Sequence, residues 1–562
     1  MFPRKTVLLL LLAIILASLV VRYPLVEHER YNTDSYFIHT LSNNIVREGQ
    51  AAWTFSPLSY VGYFPFSYPS GFPFVLAEMS ILTGLNIDVC ILLADTMLAT
   101  LFCLAVFCLS REFIHRAEFA LLASLFAALA PRFVDTTYWD GSARGMEVVL
   151  ITLLVFAIFR ASFSRSNLFL VVSALIGVAC FTVHHMAILL ILFGAGYVLT
   201  VLTARYLPVV FRSRGRKWAT VVALALGLGA TLVSLNYFGV LGNSVESIGE
   251  NGFFEIRSPL VAILVNLAVS YTHQIGLVLV LSAFGVVAFL RAPRLRVREV
   301  FPIVILIAFV PVMGSSLYVS MLLTPFVAIL GANWVLGLCR SKRIRSRTFA
   351  AAIAILIVFS LTFTVWSLER WNQNKQPTGD TVEVKDVVFN DATYLDWNAR
   401  GIYAISNSES LQGILAAYSN TSFLASGVGA TINKDVTGRD IKDNMTPASA
   451  PFPSNIYSWY SYENESLTRN FVLTLMANGV SVTSNFGNPG YHDYAASHSN
   501  LLIVVDNNWP NDYASAYGPF HASFLGEIRN PQTSGNGHED LISYCTYGSQ
   551  RVTIYAVQLP LK

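Results

Sequence analysis

The run from Glu118 to Arg160, EFALLASLFAALAPRFVDTTYWDGSARGMEVVLITLLVFAIFR, sets two long apolar stretches on either side of a turn carrying Asp135, Asp140, Tyr138 and Trp139. Crossing about 30 Å of hydrocarbon takes roughly 20 apolar residues, so the run reads as two membrane spans, near 118–133 and 144–160. Arg111 and Arg116 precede it and Arg160 and Arg165 follow it. Short cytoplasmic connections keep Lys and Arg, which places the acid-bearing turn on the opposite, outer side.

Working outward, further apolar runs lie near 6–22, 88–110, 167–183, 185–204, 218–240, 264–290, 299–314, 319–338 and 348–368, about 11 spans in all. Arg4/Lys5, Arg205 to Lys217, Arg291 to Arg298 and Arg340 to Arg347 continue the alternation. The expectation is therefore a plasma-membrane, multi-pass protein with its N-terminus in the cytoplasm. The first run also has the shape of a secretory leader, but no small-residue cleavage pattern precedes Arg22, and it is read as a retained anchor. Phe72 to Thr83 is too short to span and is read as an interfacial helix within an outer loop, 23–87.

Composition agrees with this layout. The chain has 562 residues, 54% of them hydrophobic and only 13% charged, against about 25% charged in soluble proteins. Disordered, collagen-like and disulfide-rich classes are excluded. From Trp371 onward there are 17 Asp/Glu against 10 Lys/Arg, whereas the first 370 residues hold 17 against 27. The two parts face different surroundings. The expected organisation is a multi-spanning domain over 1–370 and an extracytoplasmic soluble domain over 371–562. In the latter, helical patches (Leu411 to Tyr418, Phe471 to Ala477) alternate with β-rich runs (Ser481 to Ser484, Leu501 to Val505, Arg551 to Val557), which reads as mixed α/β. Cys545 is its sole cysteine, so no internal disulfide staples it, and the other five show no metal-ligand spacing. Asn-x-Ser/Thr sequons at Asn420, Asn444 and Asn464 agree with an external location.

Ionisable groups are costly near hydrocarbon, so acids at the outer ends of spans are candidates for function. They fall in three loops: Glu27 to Tyr36, which contains Asp34; Pro131 to Arg144; and the loop with Glu246, Glu250 and Glu255. Asp34 also precedes the amphipathic segment Ser35 to Arg47 as an N-cap would. Charged residues otherwise cluster at span edges, with no inverted repeat of the transporter kind. The basic residues are topology signals and imply no nucleic-acid partner.

An acid just past the first span (Thr33-Asp34-Ser35), an outer loop rich in Tyr and Pro, a span ending in Ala130-Pro131 before an acid-bearing loop, and a C-terminal external domain together resemble the GT-C superfamily of polyprenyl-phosphate-dependent glycosyltransferases. The arrangement is most similar to the archaeal oligosaccharyltransferase catalytic subunit and related membrane proteins. The resemblance covers the first 260 residues in order and the rest loosely. It implies a first-loop acid at Asp34, a second-loop acid at Asp140 or Asp135, and a third at Glu246 in Ser244-Val245-Glu246. His184-His185 is similar to Thr-x-His-His runs of archaeal members and implies a role at the lipid phosphates. The Trp-Trp-Asp-Tyr-Gly signature that reads an acceptor sequon is absent; Ser458-Trp459-Tyr460-Ser461-Tyr462 is not an adequate substitute for it.

The resemblance implies an inverting transferase that moves a sugar or oligosaccharide from a polyprenyl-(pyro)phosphate donor to a protein, lipid or glycan acceptor. Attack at the anomeric carbon needs a more nucleophilic acceptor, and Asp34 would serve as general base, typically worth about 10² to 10⁴ in rate. Alternatively Asp34, Asp140 and Glu246 would hold Mg²⁺ or Mn²⁺. Arg144, His184, His185 and Arg257 are candidates for the leaving phosphate, and Trp53, Tyr60, Tyr63, Tyr68, Tyr138 and Trp139 for stacking on sugars. Oligosaccharyl transfer to protein Asn is the nearest alternative; a transporter or a non-catalytic surface-assembly protein is the alternative of another class.

Overall fold

The structure is a computed structural model that describes residues 3–24, 28–30, 33–49, 71–164, 166–206, 270–291, 297–309, 312, 319–339, 346–373, 386–398, 403–406, 409–419, 422–423, 500–506, 542–548 and 552–558. In chain order its helices are α1 (Arg4–Val21), α2 (Thr33–Glu48), α3 (Gly71–Thr83), α4 (Ile87–Phe113), α5 (Ala117–Ala128), α6 (Pro131–Asp135), α7 (Ala143–Ser164), α8 (Asn167–Val183), α9 (Leu190–Tyr206), α10 (Val278–Arg291), α11 (Val297–Phe309), α12 (Val319–Cys339), α13 (Ser346–Gln373), α14 (Asp386–Asn398) and α15 (Glu409–Tyr418). The strands are β1 (Tyr403–Ser406), β2 (Ser422–Phe423), β3 (Asn500–Asp506), β4 (Ile542–Gly548) and β5 (Val552–Gln558). The chain divides into two compact units: Met1–Glu27 with Leu92–Trp371, and His28–Ile91 with Asn372–Lys562.

Among the described residues, four helices are long and apolar enough to cross a membrane: Arg4–Val21, Ile87–Phe113, Ala143–Phe163 and Val319–Leu338. Shorter apolar helices accompany them, among them Asn167–Val183 and Ala354–Leu368. The expected span 218–240 lies outside the described residues. Two expected spans are interrupted instead of continuous. Helix over 270–275 stops at Gly276, whose φ of +90° suits glycine, and α10 begins two residues later. In 118–133, α5 ends at Ala128 and a separate one-turn helix starts on Pro131, since proline lacks the N–H a continuing helix needs but fits a first turn.

α12 is the centre of the first unit. It is apolar all round, and Met321, Leu323, Val327, Ile329 and Leu330 are fully buried, as expected for a helix enclosed by others. α10 lies so close to it that a Cβ on Gly285 would sit 2.1 Å from the Leu330 carbonyl oxygen. Small residues permit such backbone approach between membrane helices. α1 is the contrast: Leu8, Leu9, Leu12 and Leu16 are exposed on it, an apolar surface suited to lipid.

In the second unit, α2 packs against α3 and α15, and α15 against α14. Asn43 Nδ2 donates to the Ala417 carbonyl at 2.8 Å, tying α2 to α15. The sheet has the order β2-β1-β3-β5-β4. β1 runs parallel to β2 and β3, with Ile405 opposite Ile503; β3–β5 and β4–β5 are antiparallel, with Ile503 opposite Tyr555. α3, α15, β3 and β5 fall on the segments singled out in the sequence. Phe471 to Ala477, Ser481 to Ser484 and the three sequons lie outside the described residues.

Candidate active site

In the first unit, the connection between α5 and α7 is built from short-range bonds. The Thr136 N–H donates to the Arg132 carbonyl at 3.1 Å, and Thr137 N–H to that of Val134 at 3.1 Å. The Thr137 hydroxyl donates to the Phe133 carbonyl at 2.6 Å. Arg22, just past α1 and buried, reaches across to this turn. Its Nε donates to Thr137 Oγ1 at 2.7 Å and one terminal nitrogen donates to the Ser18 hydroxyl at 2.7 Å. Its guanidinium carbon lies 5.3 Å from the Phe133 ring centre, within cation–π range.

Two residues further on, Trp139 has φ of +52°. A bulky side chain in the left-handed region costs on the order of 1–3 kcal/mol and persists where the surroundings over-determine it. The next residue is Asp140, 5% exposed. Its N–H donates to Oδ2 of Asp95 at 2.9 Å. Asp95 is 1% exposed and belongs to α4, so charge is not confined to span edges as the sequence pattern suggests. Asp135, the other second-loop acid, is engaged by Arg132 at 2.9 Å. Arg144 is half-buried in the first turn of α7, and Glu147, one turn on, is 0% exposed.

His184 is buried between α8 and a 3-10 turn, His185–Leu189. Its Nδ1 accepts the Met186 N–H at 3.0 Å, which assigns the ring proton of a neutral His184 to Nε2. The ring therefore caps the turn through one nitrogen. His185 begins that turn, and its side chain is outside the described residues, as are Glu246 and Arg257.

In the second unit, Asp34 is in the first turn of α2, not before it as a cap. A negative residue there is favourable to the helix dipole; its side chain is outside the described residues. The start of α2 is pinned by Glu29, fully buried, whose carboxylate meets His39 Nδ1 and accepts from the Ser35 hydroxyl at 3.0 Å. His28 stacks on Phe389 with ring centres 3.5 Å apart. The Tyr418 ring lies 4.9 Å from that of His39 and 4.6 Å from Phe389. Burial, and then the negative charge of Glu29, holds the Tyr418 phenol well above its usual range. Glu29 lay in the first acid-bearing loop without a role assigned to it, and Arg22, Asp95 and His39 are organising residues that sequence reasoning missed. Asp95 alone carried a signal, as a lone acid inside an apolar run.

Among the described residues no group of three or more His, Cys, Asp and Glu is placed to hold a metal ion. Two of the three expected ligands, Asp34 and Glu246, contribute no described side chain.

No family model and no curated protein matches this sequence. Among solved structures the chain is similar to the oligosaccharyltransferase of Archaeoglobus fulgidus tethered to an acceptor peptide containing an NVT sequon. The TM-score is 0.58 at 12% identity, over 90% of this chain and 69% of that one. It is also similar to ArnT from Cupriavidus metallidurans in the apo state, with TM-score 0.51 at 14% identity, over 98% and 97% of the two chains. The chain has the GT-C fold. That fold, with four described helices long and apolar enough to cross a membrane, agrees with a multi-pass membrane protein. The Archaeoglobus oligosaccharyltransferase has further been solved in complex with Zn and sulfate (TM-score 0.57, 12% identity, 88% and 68% covered). A third form of it holds an inhibitory peptide and a dolichol-phosphate (TM-score 0.54, 12% identity, 89% and 69% covered).

Proposed function

We propose that this protein is an inverting membrane glycosyltransferase that moves a sugar or oligosaccharide from a polyprenyl-(pyro)phosphate to an extracytoplasmic acceptor. The observation that carries this reading is Asp140, a buried acid in a strained turn of a GT-C fold, its backbone held by a second buried acid. Asp140, which follows the left-handed Trp139 and is held through its backbone by Asp95, is taken as the second-loop functional acid in preference to Asp135. Asp34 acts as general base on the acceptor. Breaking the anomeric C1–O bond leaves negative charge on the lipid phosphate, and cationic or neutral groups that donate hydrogen bonds to it lower the barrier. Arg144, His184 through Nε2, His185 and Arg257 are assigned that task.

A carboxylate such as that of Asp140 offers the hard oxygen that suits Mg²⁺ or Mn²⁺; a bound cation would neutralise charge on the departing phosphate. The N-terminus is cytoplasmic and the residues after Trp371 are outside. Purified protein, incubated with undecaprenyl- and dolichyl-phosphate-linked hexoses and scored by product mass, should transfer sugar. Asp34→Ala and Asp140→Ala should each lower turnover at least about 100-fold, the scale of a lost acid–base group, at unchanged membrane level. Full activity in Asp140→Ala would refute its role.

Oligosaccharyl transfer to protein Asn is the second reading, supported by the likeness to the Archaeoglobus enzyme bearing a sequon peptide. An Asn-x-Thr peptide as acceptor separates the two readings by the mass of the glycosylated species.

A further inference from the structure

We infer that Asp95 is a positioning residue, whose carboxylate fixes the turn that presents Asp140; this rests on the role proposed for Asp140. Asp95 stands about 12 Å along α4 from its first residue, at 1.5 Å per residue. A carboxylate enclosed at such a place in a span is costly and is kept where it has a task. Here the task is visible. Asp95 Oδ2 accepts the Asp140 N–H at 2.9 Å, an ordinary N–H···O length.

That bond acts immediately after the left-handed Trp139. A turn with a bulky residue at positive φ relaxes unless something holds it on both sides. The preceding side is held by Thr137, which accepts from Arg22 Nε at 2.7 Å. The following side is held by Asp95. Arg22 also attracts Asp95 electrostatically, which eases the burial of its charge close to Asp140. Two helices, α1 and α4, thereby set where the backbone of Asp140 sits, and through it the carboxylate. Neither Arg22 nor Asp95 touches substrate in this scheme.

The role requires an acceptor oxygen at that point and not a charge, and two variants separate these. Asp95→Asn keeps an oxygen in place; Asp95→Leu has similar volume, no acceptor, and is at home in an apolar helix. Hydrogen–deuterium exchange over residues 136–142 of the full-length protein in detergent reads the anchor without reference to activity. Exchange should be unchanged in Asp95→Asn and at least about tenfold faster in Asp95→Leu. With the hexose donors above, Asp95→Asn should keep kcat within about threefold. Asp95→Leu should lose about 30-fold or more in kcat, with the donor KM within about twofold.

Loss in both variants would overturn the inference in favour of a charge role, and normal exchange or normal kcat in Asp95→Leu would overturn it outright. If Asp140→Ala is inactive while Asp95→Leu is normal, only the positioning inference falls. An active Asp140→Ala removes the reading on which it rests.

Discussion

Arg22 shows how much one side chain settles in this fold. Its donors meet Thr137, the Ser18 hydroxyl and carbonyl, and the Ala128 carbonyl, so the end of α1, the end of α5 and the acid-bearing turn share one buried cation. Truncating such a group leaves neutral acceptors buried and unmatched, a cost of roughly 1–3 kcal/mol. Arg22→Met should lower the unfolding temperature in detergent clearly, and Arg22→Lys should fall between, because an ammonium cannot reproduce the fork of donors. Tyr418 makes a prediction of a different kind. Its folded-state pKa is raised, by burial and by Glu29, so the folded protein keeps a neutral phenol where an unfolded chain ionises, above about pH 10. Stability from this group is complete below that pH and is lost as pH rises beyond it. In Tyr418→Phe the alkaline limb of a stability-against-pH curve should be flatter; an unchanged limb would remove Tyr418 from its causes.

At the scale of elements, helix packing is decided by small residues as much as by large ones. Gly285 faces the backbone of α12, where an added Cβ would fall 2.1 Å from a carbonyl oxygen, whereas a Cβ on Gly177 of α8 meets nothing within 4 Å. Gly285→Ala should therefore lower thermal stability by about 1–3 kcal/mol, the usual cost of overpacking. Gly177→Ala should be neutral or slightly stabilising, since Ala is the better helix former. The contrast is measured by unfolding temperature in one detergent. The apolar runs made most helices legible from the sequence, because roughly 20 apolar residues have few other uses. The break at Gly276 was less legible than that at Pro131: inside an apolar run, hydropathy does not register where backbone hydrogen bonding stops. The acid-bearing turn between α5 and α7 could be read because its charges interrupt such a run. Its anchor could not, because Asp95 is 45 residues from Asp140 in sequence, and a period or a spacing carries no information about that pairing.

For the molecule as a whole, the alternation of basic connections is a physical statement about orientation that fold similarity does not make. Positive charge retained on one side predicts which connections are exported, and each prediction is independent of the others. Alkaline phosphatase folds to an active form only after export. Fused after Ser142 or after Lys562 it should be active, and fused after Arg116 or after Ser166 it should be inactive. The first pair places the acid-bearing turn and the C-terminal residues on one side; the second places the Arg-rich ends of α4 and α7 on the other. The reverse pattern would put Asp140 in the cytoplasm and transfer the proposed reaction to that face. Activity at both Ser142 and Ser166 would break the α7 crossing itself, and with it the assignment of Ala143–Phe163 as a span. The experiment thus ties the charge asymmetry of the sequence, 27 Lys/Arg against 17 Asp/Glu before Trp371 and the opposite balance after it, to the side of the membrane on which the acid-bearing turn lies.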